Sequence, residues 1–226
     1  MLAPITAADD VDFLSLLSVV NRRRFLERST IGVYPAGALV FHPDSPLKAF
    51  LIERGLIRGY TTVPDGRQAT VGFRHSGELV GVTMVVSHQP RLLAQVVVES
   101  TLRTLDMENV RNLVSTEIEV VSAVATQLAA RLRLATRLIA IRTLGNIRER
   151  LAYDVLERAT RSQLVVGRLD VSATHAELAD SIGSSREVVG RALSSLRAEG
   201  IVETTPGLIR VIDPMRLAGI VRAFEL

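Results

Sequence analysis

The sequence predicts an α+β fold with an N-terminal antiparallel β-roll, one long helix that pairs with a copy of itself, and a C-terminal helical domain closed by a short hairpin. Three observations carry this. Between Ser29 and about Leu105, short β-rich runs alternate with turn signals. From Val114 to Ile139, apolar residues recur in steps of four and three, an average of about 3.5 residues per repeat. After Gly145-Asn146, a capped helix, a glycine turn and a second helix follow in sequence. The chain divides accordingly at residues 1–107, 108–144 and 145–226.

The start reads as a short helical lead, because Phe13, Leu16, Leu17 and Val20 fall at helical spacing. The β-region is punctuated by Tyr34-Pro35-Ala36-Gly37, Pro43-Asp44-Ser45-Pro46, Asp65-Gly66 and Ser76-Gly77. Asp65-Gly66 is the strongest hairpin signal, since a tight hairpin turn needs positive φ at both central positions.

The periodic segment comprises Val114, Ile118, Val121, Ala125, Leu128, Leu132, Ala135 and Ile139. A narrow stripe of this period fits a coiled-coil seam better than the broad apolar face of a helix lying on its own domain. One helix from about Glu108 to Arg142, on the order of 50 Å long, is therefore expected to dimerise with its copy. Gly145 ends it and Asn146 caps the next helix, which makes that pair a boundary and a hinge.

A further helix spans Ile147 to Ala159. In the segment that follows, Thr174 and Glu177 form a capping box for a helix ending at Gly183. A second helix begins at Ser184 or Ser185 and stops at Gly200. Val189, Ala192, Leu193 and Leu196 form its inward stripe, while Arg186, Glu187, Gly190 and Arg191 share the opposite face. Two short strands around Thr205-Pro206-Gly207 complete a winged helix-turn-helix.

That outward face suits DNA. Arg can bond bidentately to guanine, and Glu can accept from cytosine N4. Gly190 lets the backbone approach a groove. Ser184 and Ser185 at the helix start, with Thr174 and His175 at the start of the preceding helix, lie beside it, and Thr174 and Ser185 can bond phosphate. The alternative for the charged residues is a solvated face with a Glu187–Arg191 pair. Global charge does not decide between them. The whole chain carries +3, nearly all of its cations being Arg, but residues 145–226 hold eleven Arg against eleven Asp plus Glu. Affinity for phosphate must come from local placement.

Other chemistry is sparse. Cysteine is absent, which excludes disulfides, thiolate metal sites and a cysteine nucleophile. His42, His75, His88 and His175 are scattered singly, and no metal motif, catalytic triad or phosphate-binding glycine loop is present. Neither an enzyme nor a bound cofactor is expected. No secretory leader and no run of 18 apolar residues is visible, so a cytoplasmic protein off the membrane is expected.

The segment Ile182-Gly-Ser-Ser-Arg-Glu-Val-Val-Gly-Arg191 resembles the helix-turn-helix of the Crp/Fnr family of transcription regulators. Gly55, Asp65-Gly66, Gly77 and Gly81 fall where that family's β-roll turns fall, and the seam, the break and the wing follow in the same order. The resemblance implies a cyclic-nucleotide-binding-like jelly roll, a homodimer on double-stranded DNA, and RNA polymerase as a protein partner. It also implies that Arg186, Glu187 and Arg191 read a TGTGA-type half-site. Val188 stands where the family commonly has threonine, which puts one phosphate contact in question.

The sensor region departs from the pattern. Cyclic-nucleotide members hold the ribose with a glutamate and the phosphate with an Arg-Ser pair. When Gly77-Glu-Leu-Val-Gly81 is matched to the opening turn, those positions fall at Val82, Leu92 and Leu93. With Leu128, Leu132, Ala135 and Thr136 they outline an apolar effector pocket that should not hold cyclic AMP, since a buried phosphate without a cation is strongly penalised. A competing match makes Glu78 the ribose ligand and Arg91 the phosphate ligand, at the cost of three additional residues between them.

Overall fold

The computed structural model describes residues 12–41, 48–62, 68–81, 83, 92–166 and 168–222, which form two compact units, Met1–Ala135 and Thr136–Leu226. In the first unit, strands β1 (Thr30–Tyr34), β2 (Leu39–Phe41), β3 (Phe50–Thr62), β4 (Gln68–His75), β5 (Leu79–Val80) and β6 (Leu93–Thr104) form one antiparallel sheet. Its backbone order is β1-β6-β3-β4, with β2 on β6 and β5 on β3. β3 and β4 pair up to Thr62↔Gln68, so they flank the expected Asp65-Gly66 hairpin. That turn and the Pro43–Pro46 signal lie outside the described residues. One face of the sheet packs Phe50, Ile52, Ile57, Val80, Ala94, Val96 and Leu102 together.

A second core joins the N-terminal lead to the helices that follow the sheet. It contains Phe13, Leu17, Phe25, Leu51, Leu79, Leu105, Val110, Leu113 and Val120. The lead differs from the expected single helix. A 3-10 turn at Phe13–Leu16 ends at extended Leu17, and Ser18 then caps α1 (Val19–Phe25). Val20, read as part of the buried stripe, is exposed, because Ser18 restarts the helix in a new phase.

The expected long helix is also two helices. α2 (Met107–Thr116) and α3 (Ile118–Leu144) meet at a bend of 107°. Glu117 is the joint, in extended conformation at φ −117° and ψ 106°. Ser115 and Thr116 hydroxyls donate to the Asn112 carbonyl, a local bond that competes with helix continuation. The bend is tied to α1. Arg24 pairs with Glu117 at 2.6 Å, and the Glu119 carboxylate accepts from the Ser18 backbone amide, the Ser18 hydroxyl and the Asn21 side-chain Nδ2. These hydrogen bonds hold the Glu119 pKa below the ordinary value. Val114 therefore belongs to α2, packed against the second core, and not to the stripe that continues from Ile118.

α3 carries two apolar faces. Val120, Ala123, Val124, Ala130, Leu134, Leu138 and Ile141 are buried within the chain. The predicted seam lies on another face, where Ile118, Leu132 and Ile139 are 79%, 71% and 69% exposed.

The second unit continues with α4 (Ile147–Val166), longer than the Ile147–Ala159 expected, then β7 (Asp170–Ser172), α5 (His175–Ile182), α6 (Arg186–Ala198), β8 (Val202–Thr205), β9 (Leu208–Val211) and α7 (Pro214–Arg222). The wing is a three-stranded sheet, β7-β9-β8. Its first strand escaped the sequence reading because three residues are too few for a periodic signal. Asp170 holds it to β9 through two hydrogen bonds with Arg210, at 2.9 and 3.2 Å.

Candidate nucleic-acid interface

α5 begins with the capping box. The Thr174 hydroxyl oxygen accepts from the Glu177 amide at 3.2 Å, while the Glu177 carboxylate accepts from the Thr174 amide at 2.7 Å. The Thr174 hydroxyl also donates to that carboxylate at 2.9 Å, and these bonds lower the Glu177 pKa. Leu178, Ala179 and Ile182 are buried beneath. The helix ends at Gly183, whose φ of +62° and ψ of +54° suit a residue without Cβ. The Ser184 amide donates back to the Ala179 carbonyl at 2.9 Å, which closes the turn.

Ser185 caps α6, its hydroxyl oxygen accepting from the Val188 amide at 3.4 Å. Val189, Leu193 and Leu196 anchor α6, while Ala192 is half-buried. Arg186, Glu187 and Arg191 are exposed. Among the described residues none of the three forms a hydrogen bond or an ion pair, so the alternative Glu187–Arg191 pair is not formed. Two arginines and one carboxylate thus stand together on the first turns of a rigid helix.

Gly190 sits against α5. A Cβ there would lie 3.5 Å from Nδ1 of the half-buried His175, an ordinary contact. The helix pair alone does not demand glycine at this position.

Within the first unit, the ground between the sheet and α3 is not the apolar recess that the sequence suggested. The Arg131 guanidinium donates to the Leu79 carbonyl, and the Gln127 side chain accepts from the Leu79 amide at 3.4 Å. Burial, followed by the charge of Arg74, pushes the Arg131 pKa down to about 9, against the opposing pull of Glu78. Arg58 is wholly buried in β3. It donates to Thr70 at 2.9 Å, Gln68 at 3.0 Å and Gln95 at 3.3 Å, and stacks 4.4 Å from the Tyr60 ring centre. The matching of Val82, Leu92 and Leu93 passed over these groups because they stand on β3 and α3. A lone arginine within Leu56-Ile57-Arg58-Gly59-Tyr60 was the available signal.

Of the expected pocket residues, Val82 lies outside the described residues, as does Arg91. Leu92 is 37% exposed, and Leu93 opens β6 opposite Tyr60. Leu128 packs on the second core, Ala135 is half-buried and Thr136 is exposed. Leu132 is uncovered within one chain. Glu78 is buried, and its carboxylate accepts from the His75 amide at 2.5 Å, closing the turn before β5.

The family model described as Crp-like helix-turn-helix domain matches residues 133–220, and that described as cyclic nucleotide-binding domain matches residues 32–117. The chain is similar to the cyclic AMP receptor protein of Thermus thermophilus, 32% identical over 79% of this chain and 82% of that protein. It is also similar to the cAMP-activated global transcriptional regulator Vfr of Pseudomonas aeruginosa, 26% identical over 83% and 87%. In fold it matches a transcriptional regulator of the crp/fnr family from Eubacterium rectale, with a TM-score of 0.59, 19% identity and coverage of 94% and 99%. Among the described residues no single helix is long and apolar enough to cross a membrane.

Proposed function

The chain belongs to the Crp/Fnr family of transcription regulators, and from that premise we propose that it binds a palindromic operator with TGTGA-type half-sites as a homodimer. The observation that carries this is the exposed, unpaired group of Arg186, Glu187 and Arg191 at the start of α6. Charged side chains left without partners on a rigid helix are free to meet base edges. Ser185 supports the reading, since its hydroxyl hydrogen is left over by the cap and can donate to phosphate. Thr174 directs its own hydroxyl to Glu177, which makes it the weaker phosphate ligand of the two. His175 and Ser184 lie beside the same face.

The stripe of Ile118, Val121, Ala125, Leu132 and Ile139, all exposed, with Leu128 and Ala135 half-buried beside them, supports pairing with a second copy, whose recognition helix reads the other half-site. Residues 1–107, 108–144 and 145–226 are proposed as the sensor, dimerisation and DNA-reading parts, in a cytoplasmic regulator whose DNA-bound form meets RNA polymerase. Selection from randomised duplexes tests the assignment. A palindrome of TGTGA-type half-sites is expected, and recovery of no consensus overturns it.

Cyclic AMP is proposed not to act as effector, although the relatives named above carry it in their names. Leu92 and Leu93 stand where the family places its phosphate ligands, and Glu78 is committed to closing a turn. The buried Arg58 and the Arg131–Gln127 anchor support a sensor region filled by its own side chains. Titration of cyclic AMP into the dimer should give no saturable heat. A micromolar isotherm abolished by Arg91→Ala would restore Glu78 and Arg91 as ligands.

A further inference from the structure

The junction between α3 and α4, Gly145-Asn146, carries more restraint than a hinge needs. Gly145 is buried, and its amide donates to the Ile141 carbonyl at 3.1 Å. A Cβ on Gly145 would lie 2.6 Å from that same carbonyl oxygen, so any larger residue must shift the last turn of α3. Asn146 and Glu149 cap α4 reciprocally. The Asn146 amide donates to the Glu149 carboxylate at 2.8 Å, and the Glu149 amide donates to the Asn146 side chain at 3.0 Å.

A third restraint crosses the junction. Arg142, on the last turn of α3, donates from one nitrogen to the Tyr153 hydroxyl at 2.9 Å and to the Glu157 carboxylate at 3.0 Å. Its guanidinium lies 4.9 Å from the Tyr153 ring centre. Tyr153 and Glu157 are four residues apart on one face of α4, and only 4% and 5% exposed. A buried carboxylate requires a cation, and Arg142 supplies it from the other helix. Two hydrogen bonds and a stacked ring fix direction as well as distance.

We infer that Arg142, Tyr153 and Glu157 form a clamp that sets the angle between the end of α3 and α4, and thereby the operator spacing the dimer accepts. The inference rests on the DNA-reading dimer proposed above. Each base pair added between half-sites turns the groove by roughly 35° as well as lengthening the site. A dimer whose DNA-reading domains are held at a fixed angle cannot follow that rotation, whereas one with a loosened junction can. Arg142 is thus a positioning residue. It touches no base and acts through the placement of α4.

The test is a selection from duplexes carrying two half-sites separated by spacers that increase one base pair at a time. Wild type is expected to favour one spacer. Arg142→Ala/Glu157→Gln removes the cation together with the buried charge it meets, so the two charges of this pair are lost together. This variant should recover the same half-site sequence, while its preference for the best spacer over the neighbouring ones falls about tenfold, equivalent to roughly 1.4 kcal/mol of lost restraint. Arg142→Lys, which keeps the charge but not the planar guanidinium over the Tyr153 ring, should fall between the two. A merely stabilising role would lower the melting temperature of the double variant and leave its spacer distribution as in wild type, and that result overturns the clamp alone. If wild type recovers no paired half-sites, the DNA-reading assignment falls, and the clamp's role with it.

Discussion

At the level of single residues, three unpaired side chains on α6 carry the proposed reading of DNA. Arg186→Ala and Arg191→Ala should each cost roughly 1–3 kcal/mol of DNA affinity and relax selection at one guanine. Glu187→Ala should relax selection at a cytosine with a smaller loss, because removing the acid also removes repulsion of phosphate. Recovery of the wild-type consensus with Arg186→Ala would refute the role of that arginine. Gly190 gives a sharper contrast. Its Cβ would meet His175 at ordinary distance, and alanine in a helix interior is favoured over glycine by about 0.5–1 kcal/mol. Gly190→Ala should therefore melt no lower than wild type. A loss of DNA affinity in that stable variant would assign the glycine to close approach of DNA, whereas unchanged affinity would remove it from the interface. The exposed charges and the capping box were legible because both are local patterns. The contact between Gly190 and His175 was not, since it depends on how α5 crosses α6.

Whole elements were legible where one period governed them and obscure where two competed. The step of about 3.5 residues runs through Val114 and Ile118 without interruption, yet the chain bends between them. Periodicity records which residues are apolar, not whether the backbone continues. The bend is decided by Ser115 and Thr116 bonding back to Asn112 and by the hold of α1 on Glu119. Glu119 makes this testable by pH. Its folded-state pKa is depressed by the bonds from Asn21 and Ser18, so its contribution to stability is present above the ordinary value of 4.5 and lost as pH falls through the lower folded value. Glu119→Gln should flatten the acid limb of a urea-midpoint titration by lowering the neutral value, with the value at low pH left nearly as in wild type. An acid limb as steep as in wild type would show that other carboxylates carry it.

For the molecule as a whole, α3 faces two ways. Its buried face packs on the core shared with the N-terminal lead, and its exposed Ile118, Leu132 and Ile139 are proposed to meet a second copy. Leu132→Asp should yield monomers by light scattering and reduce operator binding with them, because an isolated charge at a two-fold seam has no partner. The side chain is 71% exposed in one chain, so the fold of each monomer should survive. A dimer that persists in this variant would place the interface elsewhere.

The sequence by itself determined the order of sheet, long helix and helix-turn-helix, the cap and glycine turn of the latter, and the exposed charges at the start of α6. Each is written in spacing or in a local backbone requirement, so a short window contains the whole signal. Tertiary structure decided the hold of Arg24 on Glu117 at the bend, the burial of Arg58 against Thr70, Gln68 and Gln95, and the reach of Arg142 to Tyr153 and Glu157. These join residues from separate elements, and their polar side chains read as solvent-facing until the partners come together. A buried guanidinium is stable only where several acceptors meet it at once, and that meeting is a property of the packed chain rather than of any segment.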